Sequence, residues 1–137
     1  MASDLQTSIM ISATGLRVQG ARVKVIAENV ANANSTADRA GGDPYRRQII
    51  TFKNVFDRAL KADIVKVHKV VGDKSEFDKA FDPNHPAADP DGYYQKPNVN
   101  SLVEMSDMRE AQRSYEANLN LIESSRSMMM RTIDMLR

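Results

Sequence analysis

The chain has 137 residues, with 19 Lys and Arg against 18 Asp and Glu and no cysteine. That length holds one ordinary domain with a modest core. The nearly balanced charge gives no reason to expect a nucleic acid or an anionic membrane as partner, and the missing thiols exclude disulfides and thiolate metal sites.

Composition divides the chain into three. All five prolines fall between Pro44 and Pro97, and Tyr115 is the one aromatic residue outside that window. Six of the eight methionines lie at or beyond Met105. The N-terminal stretch MASDLQTSIMISATG lacks the basic cluster and unbroken apolar run of a secretory signal. No apolar run approaches the ~20 residues of a bilayer span, so ordinary rules predict a soluble cytoplasmic protein.

In the head, Ile9, Leu16, Val23 and Val30 recur every seven residues, interleaved with Leu5, Ser12, Gln19, Ile26 and Ala33. Together they make one stripe down a helix of about 30 residues, roughly 45 Å long. Ser3 and Gln6 have the spacing of a capping box. Gly15 and Gly20 each weaken the helix by on the order of 1 kcal/mol relative to alanine. The stretch ENVANANSTA, residues 28–37, reads locally as the helix end, with Asn32 or Asn34 supplying the left-handed conformation that closes it. Asn29 is not explained that way. It lies three residues before Asn32, on the same face.

The middle is expected to be a small β-rich or irregular segment. YRRQIITF (residues 45–52) follows the turn signal GGDP, and DIVKVHKVV (residues 63–71) alternates as a strand. Phe52, Phe56, Phe77 and Phe81 can supply a small core. FDPNHPAADPDGYY then reads as turn-rich, with little room for regular structure.

Pro97 bars helix before the tail, and Ser101 with Glu104 repeats the capping-box spacing. No Gly or Pro follows, which predicts a helix of about 36 residues, roughly 54 Å. Met108, Tyr115, Ile122, Met129 and Leu136 are spaced by seven, beside Met105, Gln112, Leu119, Arg126 and Ile133. The expected packing positions of the two helices are Ile9, Leu16, Val23, Ile26, Val30, Met108, Leu119, Ile122, Met129, Ile133 and Leu136. The head's seam is diluted by Ser12, Gln19 and glycines, and the tail carries Met128 and Met130 as well. Such a pair is marginal alone and needs further helices to cover it. Methionines suit contacts with non-identical surroundings.

Chemistry is scarce. His68 and His85 have no carboxylates at ligand spacing. Asp82, Asp89 and Asp91 do not meet the calcium-loop pattern, because prolines occupy the spacer positions, so they read as turn formers. Phosphate loops, dinucleotide fingerprints and catalytic constellations are absent, and Arg46 with Arg47 is too small a cluster for nucleic acid. The sequence calls for no enzyme activity, cofactor or metal.

Asn29-Val30-Ala31-Asn32-Ala33-Asn34-Ser35 resembles the Asn-Leu-Ala-Asn-Ala-Asn-Thr motif near the head of the bacterial flagellar axial proteins, with Val for Leu and Ser for Thr. The tail resembles that family's C-terminal helix, including AQRSYEAN, with Ala111, Gln112, Arg113, Tyr115 and Asn118. GGDPYRRQIITF and DPNHPAADPDGYYQKPNVN are similar to one short proximal-rod subunit of the basal body, an arrangement that the other short proximal-rod subunits lack. Residues 53–81 carry little of the likeness.

The resemblance implies a mainly α protein whose terminal helices (residues 1–36 and 101–137) pack as an antiparallel coiled-coil-like pair in an inner zone, with residues 37–100 facing outward. It implies a structural subunit of the proximal rod, polymerising with itself and other rod subunits into a hollow shaft that transmits torque. The implied partners also include the flagellar type III export apparatus and the motor ring base, with neither nucleic acid nor direct membrane insertion. Export without a cleaved signal would place the chain in the periplasm-spanning basal body, which displaces the cytoplasmic expectation. Asn29, Asn32 and Asn34 are then expected to hold neighbouring subunits or the partner helix. Residues 1–33 and 101–137 are expected to be largely disordered in the free monomer, ordering on assembly. The heptads alone also support a soluble helical-hairpin adaptor or chaperone-like binding module.

Overall fold

The computed structural model describes residues 2–137, with side chains from residue 4 onward. The Ser3 half of the expected N-terminal capping box lies outside the described side chains. The elements in chain order are α1 (Ala2–Ala31), β1 (Gln48–Asp57), β2 (Ala62–Gly72), β3 (Lys79–Phe81), β4 (Tyr93–Gln95) and α2 (Ser101–Met135). Two long helices thus flank a small middle of two two-stranded sheets, β1–β2 and β3–β4. The chain forms two compact units, one of Met1–Val23, Ile50–Lys69 and Arg109–Arg137, the other of Lys24–Ile49 and Val70–Met108.

In the first unit Ser12, Val18, Ile64, Ala111 and Ser125 are buried. A Cβ added at Gly15 would stand 2.9 Å from Oδ1 of Asn118, and Arg22 Nη2 lies 3.4 Å from Glu110 Oε2. As residue number rises on α1 it falls on α2, so the helix segments of this unit run antiparallel. The close approach at Gly15 depends on its missing side chain. β1 continues past the expected strand end at residue 52 as far as Asp57, whose Oδ1 accepts from the backbone N–H groups of Ala59 (2.9 Å) and Leu60 (3.1 Å) to start the turn. Lys61, at φ 50°, completes that turn.

In the second unit Val25, Ile26 and Ala87 form the apolar core, joined by buried Asn29 and Glu104. β3 pairs antiparallel with β4 in the register Lys79↔Gln95, Ala80↔Tyr94 and Phe81↔Tyr93. The stretch read as having little room for regular structure therefore contributes strand residues at both of its ends. Between them the aspartates cap turns. Asp82 Oδ1 accepts from Asn84 N at 3.0 Å, and Asp89 Oδ1 from the N–H groups of Asp91 (3.0 Å) and Tyr93 (2.9 Å). Gly92, at φ +86°, completes the loop, and a Cβ there would meet the Phe81 ring at 2.8 Å.

The four phenylalanines do not form the expected core. Phe52, Phe56 and Phe81 are exposed, and half-buried Phe77 carries the Arg46 guanidinium 4.2 Å above its ring. The Phe81 ring instead packs edge-to-face on Tyr93 at 5.1 Å. Short two-stranded sheets offer too little covered area to bury aromatics, so the apolar interior falls to residues on the helices, to Ile64 and to Ala87.

Candidate functional site

The Asn-rich end of α1 meets the start of α2 and the start of β1 within the second unit. Asn29 is 1% exposed, and all four hydrogen-bonding positions of its amide are used. Its Nδ2 donates to Gln48 O at 2.9 Å and to Glu104 Oε2 at 3.1 Å. Its Oδ1 accepts from Gln48 N at 2.8 Å and from the Tyr45 hydroxyl at 3.0 Å. A primary amide has two donors and two acceptor sites, so this side chain is saturated. The paired bonds to Gln48 copy a strand partner and fix where β1 begins.

Glu104 is also 1% exposed and is ionically paired. Its Oε1 accepts from Arg47 Nε, while Arg47 Nη1 lies 3.3 Å from Asp73 Oδ2 and Nη2 lies 3.9 Å from Asp107 Oδ2. A buried carboxylate is tolerable only with such compensation. Arg47 N donates to Asn98 Oδ1 at 2.7 Å, and Asn98 Nδ2 donates to Ser75 Oγ at 2.9 Å. One arginine thereby ties the entry to β1, the segment after β2 and the first turns of α2 into one polar cluster.

Two ionisable groups register this environment. Burial, then the nearby Glu28 and Glu104 carboxylates, push the Tyr45 phenol above its ordinary value. The Ser75 backbone N–H first, with further help from the Ser75 hydroxyl and Arg47, holds the Asp73 carboxyl below its ordinary value against a desolvation penalty.

The other motif asparagines act locally. Asn32 Nδ2 donates to Glu28 O at 2.8 Å, and Asn32 Oδ1 accepts from Ser35 Oγ at 3.0 Å. Asn34 is exposed. Neither closes α1 in a left-handed conformation, because Lys61 is the only non-glycine residue with positive φ among the described residues. Side-chain bonds to the last turn make that conformation unnecessary. At the other end of the cluster, α2 is capped by Asn100, whose Oδ1 accepts from Leu102 N (3.1 Å) and Val103 N (3.3 Å). The expected Ser101–Glu104 capping box is displaced, since the Glu104 carboxylate is engaged by Arg47 and Asn29.

Within AQRSYEAN, Ala111 is fully buried, Asn118 is half-buried with its Nδ2 donating to Ser114 O at 2.9 Å, and Gln112, Arg113 and Tyr115 are exposed. Of the positions expected to pack, Ile26 is buried, and Ile9, Leu16, Val23, Val30, Met108, Ile122 and Met129 are half-buried. Leu119, Ile133 and Leu136 are exposed. The sequence reading did not single out Tyr45, Gln48, Asp73 or Asn98 as site residues. Tyr45 lies in the Pro-Tyr-Arg-Arg string and Gln48 directly follows it, in a stretch that reads as β-former content with a weak basic pair, while Asp73 and Asn98 carry no signal along the chain.

His85 Nδ1 accepts from Ala87 N at 3.1 Å, which leaves the proton on Nε2, 3.4 Å from Thr36 Oγ1. Its ring stacks on Tyr94 at 3.9 Å. His68 is exposed. Among the described residues no group of His, Asp and Glu could hold a metal ion, and no helix is long and apolar enough to cross a membrane.

Residues 91–135 match the family model for the C-terminal region of flagellar basal body rod FlgEFG proteins. The flagellar basal-body rod protein FlgC of Agrobacterium fabrum is 46% identical over 133 residues, covering 97% of this chain and 96% of its own. The FlgC proteins of Borreliella burgdorferi and Bacillus subtilis are 39% and 34% identical, over 90% and 93% of this chain and 92% and 95% of theirs. This chain therefore belongs to the FlgC family of flagellar basal-body rod proteins, a structural and not an enzymatic family.

Proposed function

We propose that the chain is a structural subunit of the proximal rod, polymerising through α1 and α2 with itself and other rod subunits into a hollow shaft that transmits torque. The observation that carries this reading is the apolar stripe left open on α2. Met105, Leu119 and Ile133, spaced by fourteen residues, are each 40–50% exposed, and Leu136 is 84% exposed. The heptad series beside it, Glu104, Ala111, Asn118 and Ser125, is buried or half-buried. Burying the exposed part of each of these side chains against a neighbour contributes roughly 1–2 kcal/mol, about half the full-burial value where half is already covered. A coiled-coil-like α1–α2 pair within each subunit fits the antiparallel approach at Gly15 and Arg22 and the close spacing that small residues permit.

In this reading residues 1–36 and 101–137 form the inner zone and residues 37–100 the outer one. Ala111, Gln112, Arg113, Tyr115 and Asn118 lie at or beside subunit contacts. Asn29 acts within the subunit, holding α2 and β1 in place. Heterologous contacts that do not close on themselves propagate as a helical array. The subunit reaches the basal body through the flagellar type III export apparatus without a cleaved signal, and the base of the shaft meets the motor ring.

The test is fractionation of hook–basal bodies from cells whose own copy is replaced by this chain or by a version lacking residues 120–137. The full chain is expected in the basal-body fraction. The truncated one is expected to be expressed but absent from it, in cells without rods or motility. Normal rods from the truncated chain would overturn the reading.

A further inference from the structure

The rod reading assigns the assembly contacts to the helices and leaves the two small sheets without a role. Their exposed surfaces carry opposite charge. Along the β1–β2 hairpin Lys53, Arg58, Lys61, Lys66 and Lys69 are exposed and outnumber Asp57 and Asp63. Phe56 stands 59% exposed among them, with Val65 and Val67 also exposed. Around β3 and β4, Glu76, Asp78, Asp82 and Asp91 are exposed and, with half-buried Asp73 and Asp89, outnumber the exposed Lys74, Lys79 and Lys96. Phe81 there is 63% exposed, braced by Tyr93. Both sheets have two strands, so each presents strand edges with no third strand to pair them.

We propose that the basic β1–β2 hairpin of one copy seats on the acidic β3–β4 sheet of another copy, with Phe56 and Phe81 in the contact. The charges face like to unlike only in this heterologous arrangement. Hairpin against hairpin sets lysines against lysines, and the β3–β4 sheet against itself sets acids against acids. A contact between two different surfaces extends from copy to copy, as the rod reading on which this inference rests requires. Docking also covers the exposed strand edges and aromatic rings, which would otherwise be an aggregation hazard.

The chain has no cysteine, so cysteines can be introduced singly. Cells co-express two differently tagged copies, one carrying Lys69→Cys and the other Asp82→Cys, and their hook–basal bodies are isolated and oxidised. A disulfide joining the two tags is expected. Adding Lys53→Glu to the first copy should lower its yield several-fold or more, because like charges then face each other. Adding Glu76→Lys and Asp78→Lys to the second copy should restore it. Circular dichroism of each variant confirms that these exposed substitutions leave the subunit folded. Full-length copies present in the basal bodies without the disulfide, or a yield indifferent to charge reversal, overturn the inference while the rod reading stands. A disulfide to a different rod protein, or hairpin-dependent binding of the purified chain to vesicles containing an anionic lipid, overturns it in favour of another partner. Absence of the chain from basal bodies overturns the rod reading itself.

Discussion

Replacing Asn29 by alanine should be the most damaging single change in the Asn-rich stretch. The substitution removes four hydrogen bonds and leaves Gln48 N, Gln48 O, the Tyr45 hydroxyl and Glu104 Oε2 without their partner. Neutral hydrogen bonds contribute about 1 kcal/mol each, and the one to the carboxylate about twice that. Water entering the cavity restores part of the backbone bonding, which brings the net cost to about 3–4 kcal/mol. At a urea dependence of about 2 kcal/mol per molar, the unfolding midpoint falls by about 1.5–2 M. Asn32→Ala loses two local bonds at a helix end, where water replaces them, and should cost about 1 kcal/mol. Asn34→Ala, at an exposed position, should cost under about 0.5 kcal/mol. Asn29→Asp keeps the shape but has no donors and sets a second carboxylate against Glu104, so it should be worse than alanine at neutral pH and recover as the pH falls. Urea melts of the four variants followed by circular dichroism decide the matter. An Asn29→Ala midpoint equal to that of Asn34→Ala would refute the reasoning, since a saturated buried amide cannot be lost without cost.

Arg47→Met strands the buried Glu104 carboxylate and should cost about 3 kcal/mol, whereas Arg47→Met with Glu104→Met should recover most of it in the same melts. Stability should fall at both ends of the pH range. The Asp73 pKa is depressed, so its contribution is complete above about 3.8 and lost as pH falls through the lowered value. The Tyr45 pKa is raised, so its contribution is complete below about 10 and lost as pH climbs through the raised value. Asp73→Asn should flatten the acid limb of the midpoint-against-pH curve and Tyr45→Phe the alkaline limb. Gly15→Ala should destabilise, because its Cβ would press on the Asn118 amide, while Gly20→Ala, with nothing within 4 Å, should stabilise by up to ~1 kcal/mol. Hydrogen exchange of the free chain should narrow the expectation of disordered termini, with protection around Asn29, Arg47 and Glu104 and little over residues 4–11 and 126–137.

The two helices were legible because their causes are local. A sustained seven-residue period marks α1, and Pro97 followed by an unbroken run of helix formers marks α2. The polar cluster was half legible. Asn29 stood out because no local helix-end role needed it. Its partners lie 16, 19 and 75 residues away, at Tyr45, Gln48 and Glu104. No pattern along the chain announces such pairings. A carboxylate in the first turns of a helix has two uses, capping and ion pairing, and only the arrival of Arg47 decides between them. The phenylalanines misled for a related reason. Hydrophobicity says that a ring prefers burial, but a two-stranded sheet has too little area to provide it.

The tail helix shows where periodicity stops being informative. A heptad pattern gives the spacing of a seam and says nothing about which seam faces which partner. By apolar content, Met105/Leu119/Ile133 and Met108/Ile122/Met129 are the natural packing faces of α2. The most buried α2 side chains instead belong to Glu104, Ala111 and Ser125, in the same heptad series as Asn118. Where α1 offers Gly15 to Asn118 and Asn29 to Glu104, small and polar side chains let the backbones approach closely, and a buried amide and ion pair fix one register. A large apolar face turned inward would hold the helices apart and leave Asn29 without its carboxylate. The division of α2 into a small-polar series turned inward and an apolar series left open then follows from one requirement. In the proposed rod, the subunit must specify its own register without consuming the surface that further helices would cover.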